Sequence, residues 1–392
     1  MPLLAILAGR AFSPHEEIND AVILVENGII SAFGRSDQIS IPSPALRYDA
    51  RSLTAVPGFI DVHIHGAGGH DVMEGTDAAL RAVTSTVARH GTTSLVATTV
   101  TASAQQTCQA ISGITRWINE SASSLPAEPA AQILGIHLEG PFISAARRGV
   151  HPPEWIVLPS IELLRKFLAS ANGNVRILTM APELAGAQEL AAAAREAGIV
   201  VSLGHTDATY AQAMAAIDRG ASNAAHTFNA MRPFDHRETG VLGAVLTTPA
   251  VTAELIADGV HVDAAAMRLL LAAKGPQGVI LVSDGTSATG MPDGIYRLGT
   301  FDVSVSGGVC RNAEGKLAGS TLTLDRALRN IVALGIELPE ALAMLTANPA
   351  RLLGLAGRKG ALVPGADADL VLMDSELQVK GVMTRGAGLA RP

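Results

Sequence analysis

The stretch Pro57-Gly-Phe-Ile-Asp-Val-His-Ile-His-Gly66 decides how the rest of the chain is read. Ile60, Val62 and Ile64 alternate with Asp61, His63 and His65, the two-residue period of a β-strand. Residues two apart on a strand face the same side, so His63 and His65 aim at one point. Gly66-Ala-Gly-Gly69 then turns the chain away. Two imidazoles held side by side are half of a metal site. An isolated His-x-His is more often a pair of ordinary strand-end histidines. The same pattern recurs downstream, and that recurrence favours the metal.

From about residue 56 onward, apolar strands alternate with helical runs. Thr93–Val100, Ile133–Glu139, Val175–Met180, Gly198–His205, Ala221–His226, Val251–Ile256 and Gly278–Asp284 each read as a buried strand. With the His63 strand they make eight. Ala-rich helical stretches, such as 185–197 and 210–219, lie between several of them. Near-continuous apolar strands separated by helices indicate a parallel sheet covered on both faces. The expected class is α/β, a (β/α)8 TIM-like barrel. An open doubly wound sheet is the runner-up, because periodicity alone does not show closure.

The two ends differ from this middle. Residues 1 to about 55 read as short strands, with Asn27-Gly28 as the turn of a hairpin. Strand and turn character returns after residue 295, a helical run covers about 320–355, and Leu362–Met373 is again strand around a Pro-Gly turn. The expectation is a small β-sandwich domain formed by residues 1–55 and 356–392, beside a catalytic barrel of 56–355.

Composition narrows the function. Hydrophobic residues make up 48% and charged ones 17%, which suits a globular chain with a large core. Aromatics at 3% and a net charge of -7 argue against a nucleic-acid surface. Cys108 and Cys310 are too few for a disulfide framework. Leu3–Ala8 lacks a basic flank, and no segment supplies the roughly eighteen uninterrupted apolar residues of a membrane span. The default location is the cytoplasm, with no membrane partner.

Strand after strand ends in a residue able to bind metal or move a proton. His63 and His65 close the first, Glu139 the third, His205 the fifth, His226 the sixth and Asp284 the eighth. In a barrel all these ends meet at one mouth. Ordinary strand ends favour Gly, Asn and Ser, so a divalent metal site explains the set better than packing does. Imidazoles with a carboxylate suit Zn2+ or Fe2+ and leave room for a water, whose pKa then falls to roughly 7. Asp284 can take a proton from that water and pass it to a leaving group. The competing reading for Asp284 is a turn or helix cap. Loops carry a second polar layer: Arg147-Arg148-Gly-Val-His151, then Asn229, Arg232, His236 and Arg237, then Asp258-Gly-Val-His261. This layer suggests an anion, phosphate before carboxylate; solvated surface charge is the alternative. Phosphate-loop, dinucleotide and serine-elbow motifs are missing.

These residues resemble the amidohydrolase superfamily and, within it, the N-acetylglucosamine-6-phosphate deacetylase family. The resemblance rests on Pro57–Gly66, His137-Leu-Glu-Gly-Pro-Phe-Ile143, Gly204-His-Thr-Asp-Ala208, His226-Thr-Phe-Asn-Ala-Met231, Ala257-Asp-Gly-Val-His-Val-Asp263, Val282-Ser-Asp-Gly285, Leu317-Ala-Gly-Ser320 and Thr346-Ala-Asn-Pro-Ala350. It implies a cytoplasmic, homodimeric hydrolase of amino sugar metabolism that removes acetate from N-acetylglucosamine 6-phosphate. It implies that Glu139, His205 and His226 hold the main metal, Zn2+ ahead of Fe2+. His63 and His65 would add a second ion bridged by Glu139, so the count is one or two per subunit. Asp284 would be the general base and then acid. His151, Asn229, Ala230, Arg237 and His261 would contact sugar or phosphate, partly from the neighbouring subunit, with His151 also polarising the acetamide carbonyl. Many members of the superfamily place a carboxylated lysine at the end of the fourth strand. Here that strand ends Thr179-Met-Ala-Pro182, and Glu139 takes the role. The alternatives are another N-acetylated sugar phosphate such as N-acetylgalactosamine 6-phosphate, an N-acyl or cyclic amide, or a silent metal-binding scaffold.

Overall fold

The computed structural model describes residues 3–13, 16–122 and 128–389. Eight parallel strands form its central sheet: Phe59–Ile64, Thr92–Thr99, Gln132–Glu139, Val175–Met180, Val200–Leu203, Ala221–Ala224, Thr252–Leu255 and Val279–Leu281. Each is paired with the next in chain order. The first two strands are buried at every residue, as expected for a parallel sheet covered on both faces. The sheet also closes. Ile64 pairs in parallel with Gly285, the Asp284 N–H donates to the His63 carbonyl at 2.9 Å, and the His65 N–H donates to the Gly285 carbonyl at 2.8 Å. Closure removes the open-sheet alternative.

Helices pack the outside, among them Asp77–Ala88, Ala104–Ala122, Ile161–Ala171, Ala187–Glu196, Tyr210–Asp218 and Ala264–Lys274. Local sequence starts them: Thr209 and Gln212 form a capping box at the head of one. Leu80, Val83, Ile111, Ile114, Leu164 and Phe167 then meet the barrel's outward Val and Ile residues in one buried cluster. Burying each such side chain contributes about 1.5–3 kcal/mol.

The fifth, sixth and eighth strands stop short of the functional residues that were expected to end them. His205, His226 and Asp284 have φ of 47°, 28° and 49°, a left-handed backbone that no strand can continue through. The chain thus bends at the site residues themselves.

Both ends of the chain enter one six-stranded sheet. Its order is Val379–Met383, Leu370–Met373, Leu46–Pro57, Leu4–Ser13, Glu16–Glu26, Ile29–Arg35. These strands run longer than the short ones expected, up to 12 residues. Asn27 and Gly28 both take positive φ, which fits the tight turn that sets Glu26 opposite Ile29. Gly58 separates this sheet from the barrel. A Cβ there would lie 2.1 Å from Thr93 Oγ1, so only glycine passes. Three antiparallel strands, Gly294–Leu298, Phe301–Ser306 and Val309–Arg311, follow the eighth barrel strand. Among the described residues no helix is long and apolar enough to cross a membrane.

Asp325 offers a stability test. Its buried carboxylate accepts from Arg329 at 3.1 Å and lies 3.4 Å from His90 Nδ1. Burial pushes its pKa up, but the nearby His90 imidazole, Thr323 and the Arg329 charge outweigh that and hold it at about 2. An unfolded Asp titrates near 4. The stabilisation is therefore complete above pH 4 and lost as pH falls toward 2. Asp325→Asn should cost about 2 kcal/mol at pH 7. Denaturant titrations should show that deficit shrinking between pH 4 and 2; a constant deficit would contradict the assignment.

Candidate active site and metal centre

Glu139 ends the third strand and stands at the middle of the barrel mouth. Its Oε1 lies 3.1 Å from His63 Nε2, 3.2 Å from His205 Nε2 and 2.9 Å from His226 Nε2. Its Oε2 lies 3.3 Å from His65 Nε2 and 3.4 Å from His151 Nε2. Asp284 Oδ1 is 3.2 Å from His65 Nε2 and 3.6 Å from His63 Nε2. The structure thus brings together all six strand-end residues, and adds His151 from the loop after the third strand.

The hydrogen bonds behind the rings say which nitrogen faces inward. His65 Nδ1 lies 3.0 Å from the Thr98 carbonyl, and His205 Nδ1 lies 3.0 Å from the Arg147 carbonyl. A carbonyl only accepts, so each Nδ1 carries a proton and each Nε2 turns inward, where a metal ion would displace any proton the carboxylates hold there. Burial pulls His65 down, but Asp284 and Glu139 outweigh it and raise it to about 10. His63 Nε2 is buried with no hydrogen-bond partner. The His205 and His226 Nε2 atoms approach to 3.1 Å. Donor atoms about 3 Å apart suit a small cation bound at about 2.0–2.2 Å from each. These residues fit a divalent ion. His137, which neighbours Glu139 in the sequence, does not join them. Its Nδ1 lies 3.1 Å from the Val62 carbonyl and its Nε2 lies 2.7 Å from Thr179 Oγ1, so both nitrogens are used in the fold.

Electrostatics match this geometry. Burial holds His205 down at about 4, so its ring is neutral at pH 7. Burial pushes Asp284 up, but the His65 hydrogen bond and the His63, His65 and His226 charges bring it to about 2. Burial likewise raises Glu139, and His63, His151 and His205 together drive it well below the usual carboxylate range. Both carboxylates are therefore ionised.

A cavity of about 210 Å³ opens over the cluster, with His65, His151, Asn229, Ala230, His261 and Leu298 among its walls. The Thr101 N–H donates to His151 Nδ1 at 3.2 Å and Thr101 Oγ1 lies 2.7 Å from the same nitrogen, so Nδ1 accepts and Nε2 carries the proton that faces Glu139 and the cavity. His261 Nδ1 lies 2.7 Å from Asp258 Oδ2. Asn229 and Ala230 sit in a turn where His226, Phe228 and Ala230 all have positive φ. Such strain in residues with side chains marks a segment held in place by its surroundings. The loop arginines go elsewhere. Arg147 and Arg232 both pair with Asp207, at 2.8 and 3.0 Å. Arg237 and His236 are exposed on the loop outside the cavity.

Three residues that touch the site were not singled out from sequence. Glu254 lies under His63, 2.8 Å from its Nδ1. Its signal was visible: one acid inside the apolar Val251–Ile256 run. Asp258 stands three residues before His261 and was seen only as part of the loop. Thr101 holds His151 through both its amide and its hydroxyl, a contact between residues far apart in the chain that a sequence does not advertise.

A family model for the amidohydrolase family matches residues 54–388. An N-acetylglucosamine-6-phosphate deacetylase of Bacillus subtilis is 37% identical over 381 residues, 94% of this chain and 96% of that protein. An N-acetylgalactosamine-6-phosphate deacetylase of Escherichia coli is also 37% identical, over 97% of both chains. Among solved structures, a variant of the Mycobacterium smegmatis N-acetyl-D-glucosamine-6-phosphate deacetylase in complex with N-acetyl-D-glucosamine-6-phosphate superposes with a TM-score of 0.91. It is 37% identical, and 99% of each chain is covered.

The His151 support can be probed at Gly140, which has φ of 79°; a Cβ there would fall 2.1 Å from Thr101 Oγ1. Gly140→Ala should cost about 1–3 kcal/mol in denaturant unfolding. A neutral effect would mean that the Thr101 contact yields without strain.

Proposed function

The chain belongs to the amidohydrolase family, and from that premise we propose that it removes acetate from an N-acetylated amino-sugar phosphate, N-acetylglucosamine 6-phosphate first. The observation that carries this reading is one juxtaposition. An ionised Asp284 and a ring of inward Nε2 atoms around Glu139 face the Nε2–H of His151 across a cavity of sugar size. The names of the relatives supply the substrate class. Because a galactosamine relative is as similar as a glucosamine one, N-acetylgalactosamine 6-phosphate is the second reading.

In the mechanism, Glu139, His205 and His226 would hold the main divalent cation and His63 with His65 a second, Zn2+ ahead of Fe2+. Such a cation would supply acidification of water and polarisation of the acetamide carbonyl. Asp284 takes the proton from the attacking water and delivers it to the departing nitrogen. His151 donates from Nε2 to the carbonyl oxygen, where negative charge develops. Asn229, Ala230 and His261 hold sugar and phosphate, fixing the acetamide against the cluster. Arg237, exposed outside its own cavity, serves the phosphate site of the neighbouring subunit in a homodimer. The barrel of residues 56–355 is the catalytic unit. The sheet from 1–55 and 356–392 braces it, in a cytoplasmic enzyme of amino sugar metabolism.

The test is acetate release from N-acetylglucosamine 6-phosphate, beside the unphosphorylated sugar and the galacto epimer. Release confined to the gluco phosphate supports the first reading; preference for the epimer moves the assignment to the second. No release from any of the three, with metal bound, shifts it to another amide. Asp284→Asn should lower kcat at least 10²–10⁴-fold with metal content retained; near-normal turnover would remove Asp284 from the proton path. Arg237→Ala should raise KM for the phosphorylated sugar at least tenfold with little change in kcat, about the size of a lost charge-assisted contact. An unchanged KM would take Arg237 out of the phosphate site.

A further inference from the structure

The seventh barrel strand turns Glu254 into the barrel interior, beneath the cluster, with none of its surface exposed. Its two oxygens take three donors from elsewhere in the barrel. Oε2 accepts from His63 Nδ1 at 2.8 Å and from the His226 backbone N–H at 3.2 Å. Oε1 accepts from Asn223 Nδ2 at 2.6 Å, and that amide also donates to Ser202 Oγ at 3.0 Å. All three partners are donors, so only an acceptor-only group fits; a glutamine would turn an N–H2 toward one of them. Above it, His63 Nε2 is buried and without a hydrogen-bond partner, 3.1 Å from Glu139 and 3.6 Å from Asp284. The ring is gripped from behind by a charge and left open in front. His65, its companion, has the neutral Thr98 carbonyl behind its Nδ1 instead of a carboxylate.

We propose that Glu254 is a positioning residue for His63: by holding Nδ1–H it fixes the ring's tautomer and angle, so that Nε2 takes a second divalent cation and Glu254 sets how tightly. A carboxylate behind an imidazole strengthens it as a metal donor and limits its rotation. The proposal rests on the metal centre proposed above. Glu254 itself touches neither cation nor substrate.

The experiment strips the full-length protein with chelator and titrates it with Co2+, following d–d absorption and metal content. The wild-type chain should bind two ions. Glu254→Gln should weaken the second about 10–100-fold and leave the first within a few-fold. Glu254→Asp is the second variant, since it keeps an acceptor-only carboxylate one methylene shorter and is the milder change for folding. It too should weaken the second ion. In a His63→Ala background, Glu254→Gln should change Co2+ binding no further. A folded Glu254 variant that binds the second ion with wild-type affinity overturns the proposal, as does a wild-type chain with a single site. An equal loss in the His63→Ala background also overturns it, because the effect would then run through the His226 backbone or packing. A wild-type chain that binds no ion at all overturns the metal centre itself.

Discussion

Everything in this molecule depends on the seam between the first and eighth barrel strands. Three backbone hydrogen bonds close it: the Asp284 N–H donates to the His63 carbonyl, and the His65 and Gly66 N–H groups donate to the Gly285 carbonyl. Ring closure and site assembly are therefore one event. Unzipping the seam would part Asp284 from both histidines of the first strand, whatever happened to the other strands. Ser320 locks the same point from outside: its N–H donates to the Asp284 carbonyl at 2.8 Å, and its carbonyl accepts the Thr286 N–H at 3.0 Å. A carboxylate held through both sides of its backbone has little reorganising left to do, which suits the proton-transfer role proposed for Asp284.

The mouth concentrates what folding ordinarily avoids. Two ionised carboxylates and five imidazoles lie buried together, and three of the residues bend through left-handed backbone. Each buried charge is tolerable only because the others are present; removing one leaves its partners uncompensated. The strain is held by neighbours outside the cluster. Ser144 donates to the His205 carbonyl at 2.8 Å, and Glu183 accepts from Thr206 and from the Asp207 N–H. The apolar interface between strands and helices supplies the stability that this arrangement consumes.

How much of this could be read beforehand depends on which atoms do the work. The eight barrel strands and the residues from His63 to Asp284 were legible because hydrophobic period and side-chain identity are written in the sequence. Strand ends were misjudged at His205, His226 and Asp284, since a left-handed turn at a residue with a side chain leaves no compositional mark. Arg147 and Arg232 looked like anion binders, but Asp207 claims both, a pairing between loops that linear spacing does not reveal. Thr101 escaped because its contact with His151, through amide and hydroxyl, joins residues far apart in the chain. Glu254 was in plain view and was passed over as part of a strand.

The six-stranded sheet has a consequence for synthesis on the ribosome. Leu46–Pro57 needs Leu370–Met373 beside it, and about 300 residues of barrel are made between the two. At roughly 5–20 residues per second that is a wait of tens of seconds. Throughout it the early strands, Leu4 to Pro57, present an unpaired edge to other nascent chains. The last strands to emerge are thus the ones that end the exposure, and the yield of folded protein should depend on how well that waiting edge is shielded.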